Sequence, residues 1–128
     1  ISKEKLAKIV GASNVSTATA TLDEYSRDIS FVNQVRPAFV VKPADAEQVQ
    51  KLVSLANETR TPLVPVSSGS PHFRGDTVPS VGGAVIVDLR KMNRVIFVDR
   101  PRRVAMVACL PGQPSSALAQ DRSMARVA

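Results

Sequence analysis

The chain has 128 residues, 44% of them hydrophobic, which suffices for one buried core and not for two domains. Charged residues at 22% match the usual globular share and speak against a disordered, collagen-like or coiled-coil chain. A net charge of +6 favours an anionic partner: nucleic acid, acidic lipid or a phosphate-bearing cofactor.

The opening residues, Ile1-Ser2-Lys3-Glu4-Lys5, lack the apolar core of a signal peptide. The longest apolar runs are far too short to span a bilayer, so the chain reads as soluble and cytoplasmic, with no membrane partner. Leu6, Ile9 and Val10 fall at helical spacing between Ser2, a capping residue, and Gly11, a terminator, and predict a first helix. Residues 11–20 are small, polar and β-branched and read as a loop. Residues 21–36 are mixed, with a polar group at Tyr25-Ser26-Arg27-Asp28. Ala38-Phe39-Val40-Val41, ended by Lys42-Pro43, predicts a buried strand. Asp45 and Gln48 then form a capping-box pattern, and Val49, Leu52, Val53 and Ala56 make one apolar helix face. Thr61-Pro62 stops that helix, and Leu63-Val64-Pro65-Val66 predicts a second strand. Strand, helix and strand in this order predict a βαβ unit with parallel strands.

Beyond Val66 the chain becomes rich in turn formers: Ser67, Ser68, Gly69, Ser70, Pro71, His72, Phe73, Arg74, Gly75 and Asp76, then Pro79, Gly82 and Gly83. Three short apolar runs follow, 84–89, 95–98 and 104–109, with turns and no helical pattern between them. They predict antiparallel hairpins. The fold class expected is α+β, a βαβ unit with parallel strands followed by antiparallel strands. Its parts are a lead-in (1–36), the βαβ unit (37–66), a loop (67–83), antiparallel strands (84–112) and a final helix or tail (113–128). Arg100-Pro101-Arg102-Arg103, the one dense basic cluster, reads as a solvated turn. Aromatics at 4%, with no tryptophan, offer little on which bases could stack. Cys109 is the only cysteine, which excludes an internal disulfide and a cysteine metal cluster, and its apolar setting reads as a buried, inert thiol.

The loop after the second strand is the candidate site. Glycine lets successive N–H groups converge on one point, serine hydroxyls add donors, and Arg74 adds positive charge, which together suit an anion. The loop fits neither the Walker A pattern nor G-x-G-x-x-G, and an unliganded surface turn has a similar composition. His72, the only histidine, reads as neutral and solvent-facing, without the partners zinc needs. Asp76 is its only nearby orienter, so it is not read as a general base.

An ordered series of features gives the loop a setting. A proline (Pro37), an apolar strand (residues 38–41), a second proline (Pro43) and a helix with an acidic start lead to the strand of residues 61–66. The Ser/Gly loop ends in Pro79, and Gly82-Gly83-Ala84-Val85-Ile86-Val87-Asp88-Leu89, Met92-Asn93 and the run from Val104 to Pro111-Gly112 follow. The series resembles the vanillyl-alcohol oxidase / p-cresol methylhydroxylase flavoprotein family, which includes flavin-linked glycolate oxidase subunits and D-lactate dehydrogenases. Tyr25 to Asp28 resembles the polar stretch ahead of this domain in family members. The resemblance implies the first half of an FAD-binding domain. Backbone groups of Val66, Ser67, Ser68, Gly69, Ser70, Pro71 and His72 would approach the FAD pyrophosphate, and Gly75 and Asp76 would close the loop. Where some members attach flavin to a histidine, Ser70 stands here, so the implied FAD is non-covalent. Pro71 has no N–H to donate, and Leu110 replaces a frequent acidic residue, which alters some contacts. The implied activity is that of a flavin-dependent oxidoreductase oxidising a hydroxy acid or an alcohol, with no catalytic residue in this segment.

A second glycine-rich segment and a substrate domain have no counterpart after Gly112, so the chain reads as an N-terminal fragment. Alone it is expected to be inactive, to bind FAD weakly or not at all, and to expose an apolar face through which it could form a homodimer. The alternative is a non-enzymatic basic α/β module for nucleic acid or another polyanion, resting on the charge and the arginine cluster. A third reading is a structural α/β domain in a multi-subunit assembly.

Overall fold

The computed structural model of the protein describes residues 1–67, 69, 72, 75 and 77–108. Helix α1 (Lys3–Val10) starts where the Ser2 hydroxyl accepts from the Lys5 N–H at 3.5 Å and ends at Gly11, whose φ of 88° ordinary side chains resist. A 3₁₀ turn (Ala12–Asn14) leads into a two-residue strand, β1 (Val15–Ser16), and a short helix, α2 (Thr19–Glu24), where the sequence carries no period. Strand β2 (Phe39–Val41) precedes α3 (Ala46–Thr59). Asp45 caps α3 by accepting from the Gln48 N–H at 2.8 Å, and the Gln48 side chain accepts from the Ala44 N–H, one residue short of the usual capping-box partner. Arg60, at a φ of 50°, closes the helix.

The buried stripe of α3 is Leu52, Leu55 and Ala56, with Val49 half-buried, while Val53 faces solvent at 44% exposure. The expected face was thus rotated: Leu55, not Val53, points inward with Leu52. Strand β3 (Leu63–Val66) and β4 (Val85–Asp88) complete a four-stranded sheet in the order β1-β2-β4-β3. β4 is parallel to both β2 and β3, and β1 pairs antiparallel to β2. Only β5 (Val95–Asp99) and β6 (Val104–Val107) form the expected antiparallel hairpin. The 84–89 run does not join it, for a physical reason. Every residue of β4 is buried, and strands covered on both faces read as unbroken apolar runs and belong in parallel sheets. The long segment from 67 to 84 supplies the connection that a parallel return requires.

Side-chain alternation divides the core. Val41, Val85 and Val87 face α1 and α3, packing with Leu6, Val10, Val15, Leu52 and Leu55. Val40, Ile86 and Val66 face the other way, onto Leu22 and Tyr25. Each fully buried aliphatic side chain contributes roughly 1.5–3 kcal/mol, and a one-residue slip of β4 would exchange the two sets. The β5–β6 hairpin leaves Ile96, Phe97, Val104 and Met106 about half exposed. Its turn holds the arginine cluster in solvent, with the Arg102 N–H on Asp99 at 3.1 Å and Arg103 at a φ of 53°. Among the described residues no helix is long and apolar enough to cross a membrane. Cys109 and the final helix expected through Ala117 to Met124 lie outside the described residues.

Candidate functional site

The three parallel strands end at one edge, since Val41 lies opposite Val87 and Val66 opposite Asp88. Ligands of open α/β sheets bind beyond the carboxyl ends of parallel strands, and the loop after β3 leaves from that edge.

Asp88 shares the face of Ile86 by alternation, which places it beneath Tyr25 at the end of α2. Its carboxylate is 1% exposed and accepts from the Tyr25 hydroxyl at 2.9 Å. Arg90, in the 3₁₀ turn Leu89–Lys91, donates to it through Nε at 2.9 Å and Nη2 at 2.7 Å, and its own N–H caps the turn on Oδ1 at 3.0 Å. Arg90 Nη2 also reaches the Tyr25 oxygen at 2.7 Å. Burial pushes the Asp88 carboxyl up, but the hydrogen bonds from Arg90 and Tyr25 and the guanidinium charge outweigh it and hold it below its ordinary value. Burial, and then the Asp88 charge, hold the Tyr25 phenol well above its usual range.

Lys42, Asp88, Arg90, Lys91 and Asn93 line an open cleft of about 490 Å³ at this edge. Three cations against one carboxylate give it a positive field suited to an anion. Arg90 connects the cleft to the loop: a Cβ built on Gly69 would lie 3.6 Å from Arg90 Nη1.

The site residues expected from sequence fall as follows. Val66 is buried at the end of β3, Ser67 is half-buried, and Gly69 lies against Arg90. His72, expected in solvent, is 5% exposed, with its ring centroid 5.5 Å from that of Tyr25 and its carbonyl accepting from the Ile29 N–H at 2.8 Å. Gly75, at a φ of 75°, donates its N–H to Asp28 Oδ2. Ser68, Ser70, Pro71 and Asp76 lie outside the described residues, as does Arg74. Among the described residues no group of three His, Cys, Asp or Glu side chains could hold a metal ion.

Sequence reasoning did not single out Lys42, Asp88, Arg90 or Thr77. A carboxylate at the end of a wholly apolar strand, with an arginine two residues on, was the available signal, because a buried charge requires a partner.

The loop suits a polar ligand. Both ring nitrogens of His72 and Thr77 Oγ1 are buried without a hydrogen-bond partner among the described residues. Each such atom costs about 1–3 kcal/mol until a polar group meets it. Three of them within six residues of a glycine-bearing turn, beside a basic cleft, fit an anionic cofactor of the diphosphate type.

Asp28 is also held below its ordinary value, first by the Ser30 hydroxyl and then by the N–H groups of Ser30 and Gly75. A carboxyl depressed in the folded state contributes stability above its unfolded pKa, and that contribution is lost as pH falls through the folded value. With Asp28 and Asp88 both depressed, thermal stability should change little from pH 7 to about 5 and fall below about pH 4. A melting series between pH 7 and 2.5 checks this. A midpoint that rises on acidification would contradict both assignments.

Residues 37–119 match the family described as FAD binding domain. The chain is 30% identical over 105 residues to the glycolate oxidase subunit GlcD of Bacillus subtilis, covering 82% of this chain and 22% of that protein. It is 31% identical over 106 residues to the 4-cresol dehydrogenase [hydroxylating] flavoprotein subunit of Pseudomonas putida, covering 81% and 20%. The crystal structure of p-cresol methylhydroxylase with substrate bound superposes with a TM-score of 0.63 at 29% identity, over 77% of this chain and 19% of that one. The chain thus spans about a fifth of the length of the proteins it matches. A parallel sheet with a polar loop and a basic cleft at its carboxyl edge, and a family match covering both, lead to one assignment: the chain belongs to the FAD binding domain family, of the p-cresol methylhydroxylase type, with FAD as its cofactor.

Proposed function

We propose that the chain is the diphosphate-holding part of a flavin-dependent oxidoreductase that oxidises a hydroxy acid or an alcohol. The observation that carries this reading is that the chain leaves the carboxyl edge of the parallel sheet at Val66 and brings Gly69 against Arg90 of the basic cleft, within the matched residues 37–119. Val66, Ser67, Ser68, Gly69, Ser70, Pro71 and His72 face the diphosphate in this reading, and Gly75 and Asp76 close the loop. Lys42 and Lys91 hold the anion by charge. FAD, when bound, supplies the redox chemistry, and the protein supplies binding and orientation. The substrate class is supported by the relatives, a glycolate oxidase subunit and a cresol dehydrogenase.

A chain covering about a fifth of such proteins carries only part of the cofactor contacts, so by itself it is inactive and holds FAD weakly. The half-exposed apolar side chains of β5 and β6 are, in the same reading, a packing surface for the rest of the flavin domain. Titration of the purified chain with FAD, followed by flavin fluorescence, should show saturable binding with substoichiometric flavin as isolated. Stoichiometric yellow protein straight from purification would overturn the partial-site reading. No saturation at any soluble FAD concentration would overturn the flavin reading.

A further inference from the structure

The matched segment begins at residue 37, yet the loop's described contacts reach back to residues 25–32. Asp28 carries one of these and is itself held by Ser30. Its Oδ2 accepts from the Gly75 N–H, while its Oδ1 accepts from the Ser30 N–H at 2.9 Å and from the Ser30 hydroxyl. Next to it, the Ile29 N–H donates to the His72 carbonyl at 2.8 Å. Val32 lies against Gly75 so closely that a Cβ there would come within 2.5 Å of Val32 Cγ2. Tyr25 sets its ring on His72, and its hydroxyl joins the Asp88–Arg90 pair, whose Nη1 faces Gly69. The loop is therefore gripped at Gly69, His72 and Gly75, either directly by this upstream segment or through Arg90. The segment is itself braced, with the Val35 N–H on the Ser26 carbonyl at 3.0 Å and the Gln34 amide on the Ser26 hydroxyl at 2.9 Å.

We propose that residues 25–32 are a working part of the cofactor site, with Asp28 and Tyr25 as positioning residues that hold the β3–β4 loop in the shape a diphosphate requires. This rests on the flavin reading above. A glycine-bearing loop loses much conformational freedom on ordering, and a loop already ordered does not lose it on binding. Asp28 suits the task because a carboxylate takes several N–H and O–H donors at once, and each charge-assisted bond is stronger than a neutral one. Tyr25 suits it because one side chain links the loop, through His72, to the buried end of β4.

The test uses Asp28→Ala, Asp28→Asn and Tyr25→Phe, with Glu47→Ala on the exposed face of α3 as control. Amide exchange is followed in the apo protein, and FAD release is followed from the FAD-loaded protein. Asp28→Ala should speed exchange of peptides covering 67–83 by about tenfold or more, leave α3 peptides unchanged, and speed FAD release by a similar factor. Asp28→Asn, which keeps one acceptor, should fall between alanine and the parent. Tyr25→Phe should loosen the 67–83 peptides while its ring stays on His72. Unchanged loop exchange in Asp28→Ala overturns the proposal, as does loosening of α3 equal to that of the loop. Parent-like FAD release from a loosened loop overturns it too. A parent protein that takes up no FAD, while its 67–83 amides are protected, overturns the flavin reading instead.

Discussion

Replacing Asp88 with alanine should lower the unfolding free energy by about 3 kcal/mol, near the lower end of the range for breaking a buried charge pair. The lower end applies because the Arg90 side chain is 33% exposed and water can reach part of it, whereas Asp88 is buried. The loss has two parts. The guanidinium forfeits the partner of its Nε and Nη2, and the Tyr25 hydroxyl forfeits its acceptor. Its oxygen still accepts from Arg90, but a buried O–H left without an acceptor costs about 1–3 kcal/mol. Adding Tyr25→Phe to Asp88→Ala should therefore recover part of the loss, so that the two changes together cost less than their sum. Urea unfolding of the four proteins gives the cycle, and the melting temperature of Asp88→Ala should fall by roughly 10–20 °C. A loss under about 1 kcal/mol would mean that Asp88 is a solvated surface carboxylate, contrary to its burial.

The second large effect falls on cofactor affinity. Gly75→Ala should weaken FAD binding about tenfold while lowering global stability by only about 1–2 kcal/mol. A φ of 75° strains any residue with a Cβ, and at Gly75 that Cβ would also meet Val32 at 2.5 Å and Ser30 Oγ at 3.3 Å. Val32 is partly exposed and can move, so the fold survives. The loop survives less well, because the same shift disturbs the Gly75 N–H bond to Asp28. Gly83 provides the comparison. Its φ is 80°, but among the described residues nothing lies within 4 Å of its missing Cβ. Gly83→Ala should thus share the backbone strain and leave FAD affinity near the parent value. Equal effects of the two substitutions on affinity would refute a specific role for the Gly75 contact.

What the sequence revealed follows from how local each signal is. The caps of α1 and α3 were legible because a side chain bonds an amide three residues away. The parallel strands β2 and β3 were legible as apolar runs on either side of a helix. The burial of Leu55 in place of Val53 was not, because Val53 lies at helical spacing from Val49 and Leu55 from Leu52, and only packing against α1 selects between them. β1 and α2 were missed because two and six residues show no period. β4 was assigned to the wrong neighbours because turn lengths outweighed its unbroken apolar run. The loop was legible from its composition and its place in an ordered series. Tyr25, Asp88 and Arg90 were not, since 63 residues separate Tyr25 from Asp88 and nothing local pairs them. His72 was read as solvent-facing because a lone imidazole in a polar stretch gives no hint of the tyrosine ring behind it.

The placement of β4 between β2 and β3 has a consequence for the chain as it emerges from the ribosome. β2 and β3 do not pair with each other, and each bonds β4. Until residue 88 has left the exit tunnel, a nascent chain holding α3 and both flanking strands presents two ladders of unmet amides, the kind of edge that recruits stray strands. The glycine- and serine-rich stretch before β4 is the last piece translated before that gap can be filled, so the segment proposed to face the cofactor also sets how long the sheet stays open.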